Sequence, residues 1–195
     1  MPPARIARII VLAEAHEKGF SLLEAIIAAG LLAGALAALG QMLAIAVATH
    51  RSARAGSDAT VLAQQQMEQL RGLTWGFDVS GFPIVDTATD TAASVETPTG
   101  GTGLTPSPTD TLVSNTSGWV DYVDQSGAAL GGGTQVPAGA MYLRRWAIEP
   151  LPSNPSDTIV IRVFVRPAGR PEVDPSRAHR SDEARLIGIR TRKAP

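Results

Sequence analysis

From Ala25 to Gly40 sixteen consecutive residues carry no polar side chain, and after Gln41 the run resumes from Met42 to Ala48. At 1.5 Å per residue a helix over Ala25–Ala48 reaches roughly 36 Å, enough to cross a hydrocarbon core of about 30 Å. A helix in a soluble core is seldom apolar on every face for that length. The span also holds small residues four apart, Gly30 with Gly34 and Ala33 with Ala37, which let another helix approach closely, although Ala-rich spans produce such pairs by chance. Arg5, Arg8 and Lys18 precede the span and Arg51 and Arg54 follow it, so the basic flanks favour an inside N-terminus only slightly.

The remainder must supply one compact body, since 195 residues is about one domain's worth plus an appendage. There is no cysteine, which excludes disulfide scaffolds, thiolate metal sites and cysteine nucleophiles. The net charge of −1 excludes a uniformly basic nucleic-acid binder, but the distribution is uneven. Residues 1–71 carry +1, residues 72–143 carry −7 with no Lys or Arg, and residues 144–195 carry +5. Mutual complementarity of a solvated surface is the ordinary reading; a basic patch for a polyanion such as DNA is the sharper one.

The junction into the apolar span reads Lys18-Gly19-Phe20-Ser21-Leu22-Leu23-Glu24. An unpaired carboxylate at that depth costs several kcal/mol, so Glu24 needs a partner. These residues, with the Ala/Leu/Ile span behind them, resemble the class III signal of type IV pilins and type II secretion pseudopilins. The resemblance implies a leader, residues 1–19, removed after Gly19 by a prepilin peptidase on the cytoplasmic side of the bacterial inner membrane. It implies N-methylation of Phe20 as the new terminus, and a role for Glu24 in subunit assembly. The new amine at Phe20 lies one helical turn from Glu24, and between neighbouring subunits the two charges would neutralise each other. The leader departs from a short basic one: Ile6 to Ala13 is mostly apolar, and Glu14 and Glu17 reduce its charge to +1. A competing pattern, Ala46-Val47-Ala48, resembles an ordinary secretory cleavage site, but the apolar region before it is too long and Glu24 stands at its start.

Beyond the span, Ala59, Leu62, Ala63, Met67 and Leu70 recur at helical spacing with Gln64, Gln65, Glu68, Gln69 and Arg71 largely on other faces. No proline interrupts Phe20 to Arg71, so one helix of roughly 78 Å is feasible, stopping near Gly72 and weakened or bent at Gly56-Ser57-Asp58. Residues 86–118, rich in Thr, Ser, Gly and Pro, read as a long loop. Ile159 to Arg166 alternates with period two, with weaker strands at Tyr142–Ile148 and Leu186–Thr191 and a further one at Trp119–Val123. Pro150, Pro152, Asn154 and Pro155 separate the first pair of strands.

The expected fold is α+β: a long N-terminal helix packed on a C-terminal antiparallel sheet, pilin-like. Its parts are the leader at 1–19, a transmembrane or filament-core helix at 20–48, an amphipathic continuation at 49–72, a loop region at 73–118 and a sheet region at 119–195. The three histidines, His16, His50 and His179, form no metal cluster or triad, and no enzyme or cofactor is expected. Asp121, Asp124 and Gly127 read as a solvated turn rather than a cation loop, and Asn115-Thr116-Ser117 as a chance glycosylation match. Gly101-Thr102-Gly103 lacks the strand and helix of a dinucleotide site, and the three tryptophans, Trp75, Trp119 and Trp146, read as core or interface.

The function implied by the resemblance is that of a minor type IV pilin, with prepilin peptidase, other pilin subunits and the inner membrane as partners. A minor pseudopilin of a type II secretion system shares the same motif. A single-pass membrane-anchored binding protein, holding nucleic acid through Arg190, Arg192 and Lys193, is the reading from a different class.

Overall fold

A computed structural model describes residues 19–92, 100–170 and 180–192. Helix α1 runs from Leu22 to Gly72 without interruption, including Gly56-Ser57-Asp58. The chain divides into two compact units, one up to Ala46 and one from Val47.

In the first unit every described residue is exposed, and an 18-residue window of α1 reaches a mean hydropathy of 2.2 with none of it buried. Leu23, Ile26, Ile27, Leu31, Leu36 and Leu39 are all more than half exposed, and at 3.6 residues per turn they lie on every side of the helix. By length and composition this single helix can cross a membrane.

The second unit is an α+β body. After α1 come a small hairpin, β1 (Trp75–Phe77) with β2 (Pro83–Val85), and a five-stranded antiparallel sheet. The sheet consists of β3 (Val120–Val123), β4 (Ala129–Gly132), β5 (Tyr142–Leu151), β6 (Asn154–Pro167) and β7 (Ala184–Thr191), in the order β4-β3-β5-β6-β7. On α1 the buried positions Ala59, Leu62, Ala63, Gln66, Met67 and Leu70 form one stripe. The apolar members of the stripe pack on Trp146 and Ile148 of β5 and on Ile159, Ile161, Val163 and Val165 of β6. Alternation places those strand residues on one face, and full burial of each aliphatic side chain contributes about 1.5–3 kcal/mol. The other face carries a smaller cluster of Val120, Tyr122 and Leu143.

The strands extend beyond the stretches read from the sequence. β5 and β6 run through Pro150 and Pro155, so that only Pro152 and Ser153 turn between them. The register shifts between Pro150 and Leu151, where proline lacks the N–H the ladder needs. The hairpin β1–β2 lies inside what the sequence suggests is loop, as two strands of three residues whose turn is tied by Asp78. The Asp78 carboxylate accepts from the backbone N–H of Ser80 and of Phe82, both at 2.8 Å. Residues 100–118 contain no strand, yet Leu104 is buried, and the loop is held by backbone bonds from Leu104 to Asp86 (2.7 Å) and from Ser107 to Ile148 (2.9 Å). Gly103 permits the approach: at φ 52° it lies so close to Asp86 that a Cβ would meet the Asp86 carbonyl oxygen at 2.5 Å.

Candidate functional site

The junction singled out in the sequence coincides with the start of α1. Gly19, Phe20 and Ser21 precede the helix in non-helical conformation and are exposed, Phe20 to 78%. Ser21 caps the helix: its Oγ accepts from the Glu24 N–H at 3.2 Å, and its carbonyl accepts from the Ala25 N–H at 3.1 Å. Glu24 is therefore the third residue of the first turn, where the unsatisfied N–H groups and the dipole favour a carboxylate. Its side chain is exposed and makes no ion pair among the described residues.

Two chemical consequences follow from this arrangement. The Gly19–Phe20 peptide is non-helical and exposed, so its backbone is accessible to a peptidase. Hydrolysis there would leave an ammonium at Phe20, one residue before the cap and within the first-turn region that also holds Glu24. The amine would sit at the positive end of the helix dipole, so a carboxylate from this or another helix is the group that would stabilise it. The expected leader, residues 1–19, lies outside the described residues except for Gly19, and His16 and Lys18 with it. Along the apolar part of α1, Gln41 is the single polar side chain between Glu24 and Thr49.

The basic C-terminal third is used within the fold. Arg144 is 4% exposed and donates through Nε to Asp121 Oδ1 at 2.9 Å, its cross-strand neighbour in β3. Arg145 donates to the Leu112 and Val113 carbonyls and to Asn115 Oδ1, pinning the loop to the outer face of β5. Arg190 donates to the carbonyls of Leu70 (3.3 Å) and Leu73 (2.7 Å), which satisfies acceptors left open at the end of α1. Arg192 donates to the carbonyls of Gly76 (2.7 Å) and Ile84 (2.6 Å), and its guanidinium lies 3.7 Å from the centroid of Trp75. Both arginines that were candidates for a polyanion are thus bound to backbone carbonyls; Lys193 lies outside the described residues.

The remaining candidates are placed as follows. Asp124 forms the β3–β4 turn, accepting from the Ser126 and Ala128 amides, while Asp121 is buried against Arg144, so the two do not converge. Asn115 donates to the Thr134 carbonyl while accepting from Arg145, which engages both ends of its amide. Trp146 is fully buried, Trp75 and Trp119 are partly buried, His50 is exposed on α1, and His179 lies outside the described residues. A half-open cavity of about 300 Å³ lies between residues 107–113 and the outer face of β5 and β6, with Ala147, Glu149 and Arg162 on its floor. Its one serine, Ser107, is held against both the N–H and the carbonyl of Ile148. Asp121–Arg144 and the roles of Arg190 and Arg192 were not foreseeable from spacing, because each arginine reaches a partner remote in sequence.

Comparison with protein-family models, with curated proteins and with solved structures returns no match.

Proposed function

We propose that the chain is a minor type IV pilin: a membrane-inserted precursor cut after Gly19, N-methylated at Phe20 and added to a filament through α1. One observation carries this reading. A helix that is apolar on all sides and uncovered begins immediately after an exposed, non-helical Gly19–Phe20 peptide, with Glu24 in its first turn. Exposed apolar surface on that scale calls for lipid or for other helices around it, and a filament core supplies the second where the membrane supplies the first. Prepilin peptidase, other pilin subunits and the inner membrane are the partners this requires, with the globular body on the periplasmic side before assembly.

The experiment is mass spectrometry of the N-terminal peptide of the chain from its native envelope, with and without prepilin peptidase. A mature chain beginning at N-methylated Phe20 is the expected result. A chain beginning at Thr49 would make it a secreted protein, and an uncut chain a membrane anchor; either overturns the proposal. A pseudopilin of type II secretion would be processed in the same way. Deletion separates the two machines: loss of surface pili is expected, whereas retention of secreted enzymes in the periplasm with normal pili would assign the chain to secretion.

A further inference from the structure

The register of the sheet determines which backbone groups of β7 are used. The Arg192 N–H donates to the Asp157 carbonyl and so continues the β6–β7 register by one step. Bonded pairs in an antiparallel ladder recur at every second residue, so Ala184, Leu186, Gly188 and Arg190 turn their N–H and C=O toward β6. The β5 side of β6 agrees. The Ala168 N–H donates to the Met141 carbonyl, which turns the even residues of β6 toward β5 and leaves the odd ones for β7. The N–H and C=O groups of Arg185, Ile187, Ile189 and Thr191 therefore point out of the sheet, in a row about 20 Å long. Among the described residues none of these groups has a hydrogen-bond partner.

The two edges of the sheet are built differently. β4 is four residues long, its register against β3 shifts between Asp121 and Val123, and Gly131 bends it at φ 93°, devices that keep a stray strand from pairing. β7 has eight residues in unbroken register, with no proline and no positive φ. Beside its open groups, on the outer face, stand Ile187 (72% exposed) and Ile189 (61%).

We propose that the β7 edge takes up one extended segment of a different polypeptide, which joins the sheet as a sixth strand. A row of donors and acceptors at the spacing of alternate strand residues is met in full by another extended backbone. Ile187 and Ile189 belong to the same row, so the segment carries β-branched or aromatic residues opposite them. Arg185 and Arg162 nearby are already paired with Glu183 and Glu149, so backbone bonds and apolar contact make the recognition, not charge. A second copy of this chain does not fit the edge. The chain from Ser181 through β7 runs alongside α1 in the same direction: Ser181 lies against Gly56, Gly188 against Met67, and Arg190 bonds the carbonyls of Leu70 and Leu73. A symmetric antiparallel pair of β7 strands would therefore set the two α1 helices in opposite senses, whereas chains inserted in one membrane by the same route share one sense. One edge takes one strand, so the contact does not repeat from copy to copy, as a minor subunit requires.

The contact rests on the filament reading only for what brings the partner alongside. The test is residue-resolved hydrogen exchange of the full-length chain, purified alone in detergent and in assemblies isolated intact from the native envelope. In the chain alone, the Ile187 and Ile189 amides are expected to exchange as open amides while those of Leu186 and Gly188 are protected. In the assembly the two isoleucine amides are expected to slow about a hundredfold, with Leu186 and Gly188 unchanged. Ile187→Pro removes an outward N–H that β6 does not use, so the chain keeps its thermal unfolding while Ile189 loses the protection. Ile189→Lys keeps every backbone group but charges the edge, and Ile187 then loses its protection. Isoleucine amides that stay fast in the assembly would overturn the proposal, as would amides already slow in the chain alone; slowing that grows with the concentration of the chain would mark a second copy as the occupant. Protection that survives both substitutions would overturn it too. Processing at Phe20 without protection would defeat this contact alone, and protection on unprocessed chains would defeat the filament reading alone.

Discussion

Gly56 of α1 stands against the backbone of Ser181 so closely that a Cβ on Gly56 would lie 2.1 Å from the Ser181 carbonyl oxygen. One turn earlier, Ser52 Oγ and Ser181 Oγ are 2.7 Å apart. The glycine that looks like a weak point of the helix is where the residues before β7 come against it. Gly56→Ala gains about 1 kcal/mol in helix propensity and loses more by forcing the two backbones apart, for an expected net loss of about 1–3 kcal/mol. Tryptophan fluorescence during thermal unfolding reports it, since Trp75, Trp119 and Trp146 all belong to the globular unit. A melting temperature at or above that of the parent would show that the approach relaxes without cost.

Asp121 and Arg144 form a buried pair in which each is the other's counter-charge. Asp121→Leu or Arg144→Met should each cost about 3–5 kcal/mol, because each leaves an uncompensated buried charge. The double variant Asp121→Leu, Arg144→Met should recover most of that loss. Denaturant titration of the three variants measures the coupling, and strictly additive losses would exclude it.

Arg192→Ala should free the β1–β2 hairpin while leaving the five-stranded sheet in place. The substitution removes bonds to Gly76 and Ile84 and the contact with Trp75. Hydrogen exchange of the Gly76 to Asp86 amides should accelerate by one to two orders of magnitude, and Arg192→Lys should restore little of the protection, since an ammonium cannot reproduce the planar fork. Equal acceleration across β5 and β6 would make the residue a global rather than a local support.

The carboxyl of Asp86 is held below its ordinary value by hydrogen bonds from the Thr89 hydroxyl and the Thr89 and Ala88 amides. Its contribution is therefore fully present above the ordinary value near 3.8 and is lost as the pH falls through the lower folded value. Thr89→Ala should move the Asp86 titration, followed by the Ala88 amide resonance, upward toward 3.8. Burial raises the Asp121 carboxyl against the pull of Arg144, so this ion pair is lost to protonation at a higher pH than an exposed carboxylate would be.

At the N-terminal junction, Gly19→Ala should leave full-length precursor, seen as a shift in mass. Glu24→Ala should be processed normally and fail to enter filaments. Normal incorporation of the Glu24 variant, assayed in sheared surface fractions, would remove the charge-pairing argument.

The helix and the three long strands are legible in the sequence because each buries one face, and burial imposes its period on the residues. Ala59 to Leu70 and Ile159 to Val165 show this plainly. The β1–β2 hairpin is not legible, since three residues are too few to display a period and Val79 and Phe82 face outward. β4 is hidden by its glycines, which carry no side chain to show a face. At the candidate site the motif locates the junction, and only the structure adds that Ser21 caps the helix. The arginines are misleading as a group: their charge suggests a surface, whereas Arg190 and Arg192 bind carbonyls whose positions no spacing rule encodes.

That use of Arg190 and Arg192 also bears on the order in which the molecule is made. The helix end and the hairpin both take their closing hydrogen bonds from the last strand, which is synthesised long after them. On the ribosome the apolar helix and the hairpin emerge well before Arg190 and Arg192. The body cannot lock until those two arginines have appeared, so a chain that stopped short of β7 would keep its exposed apolar helix and carry an unsettled head.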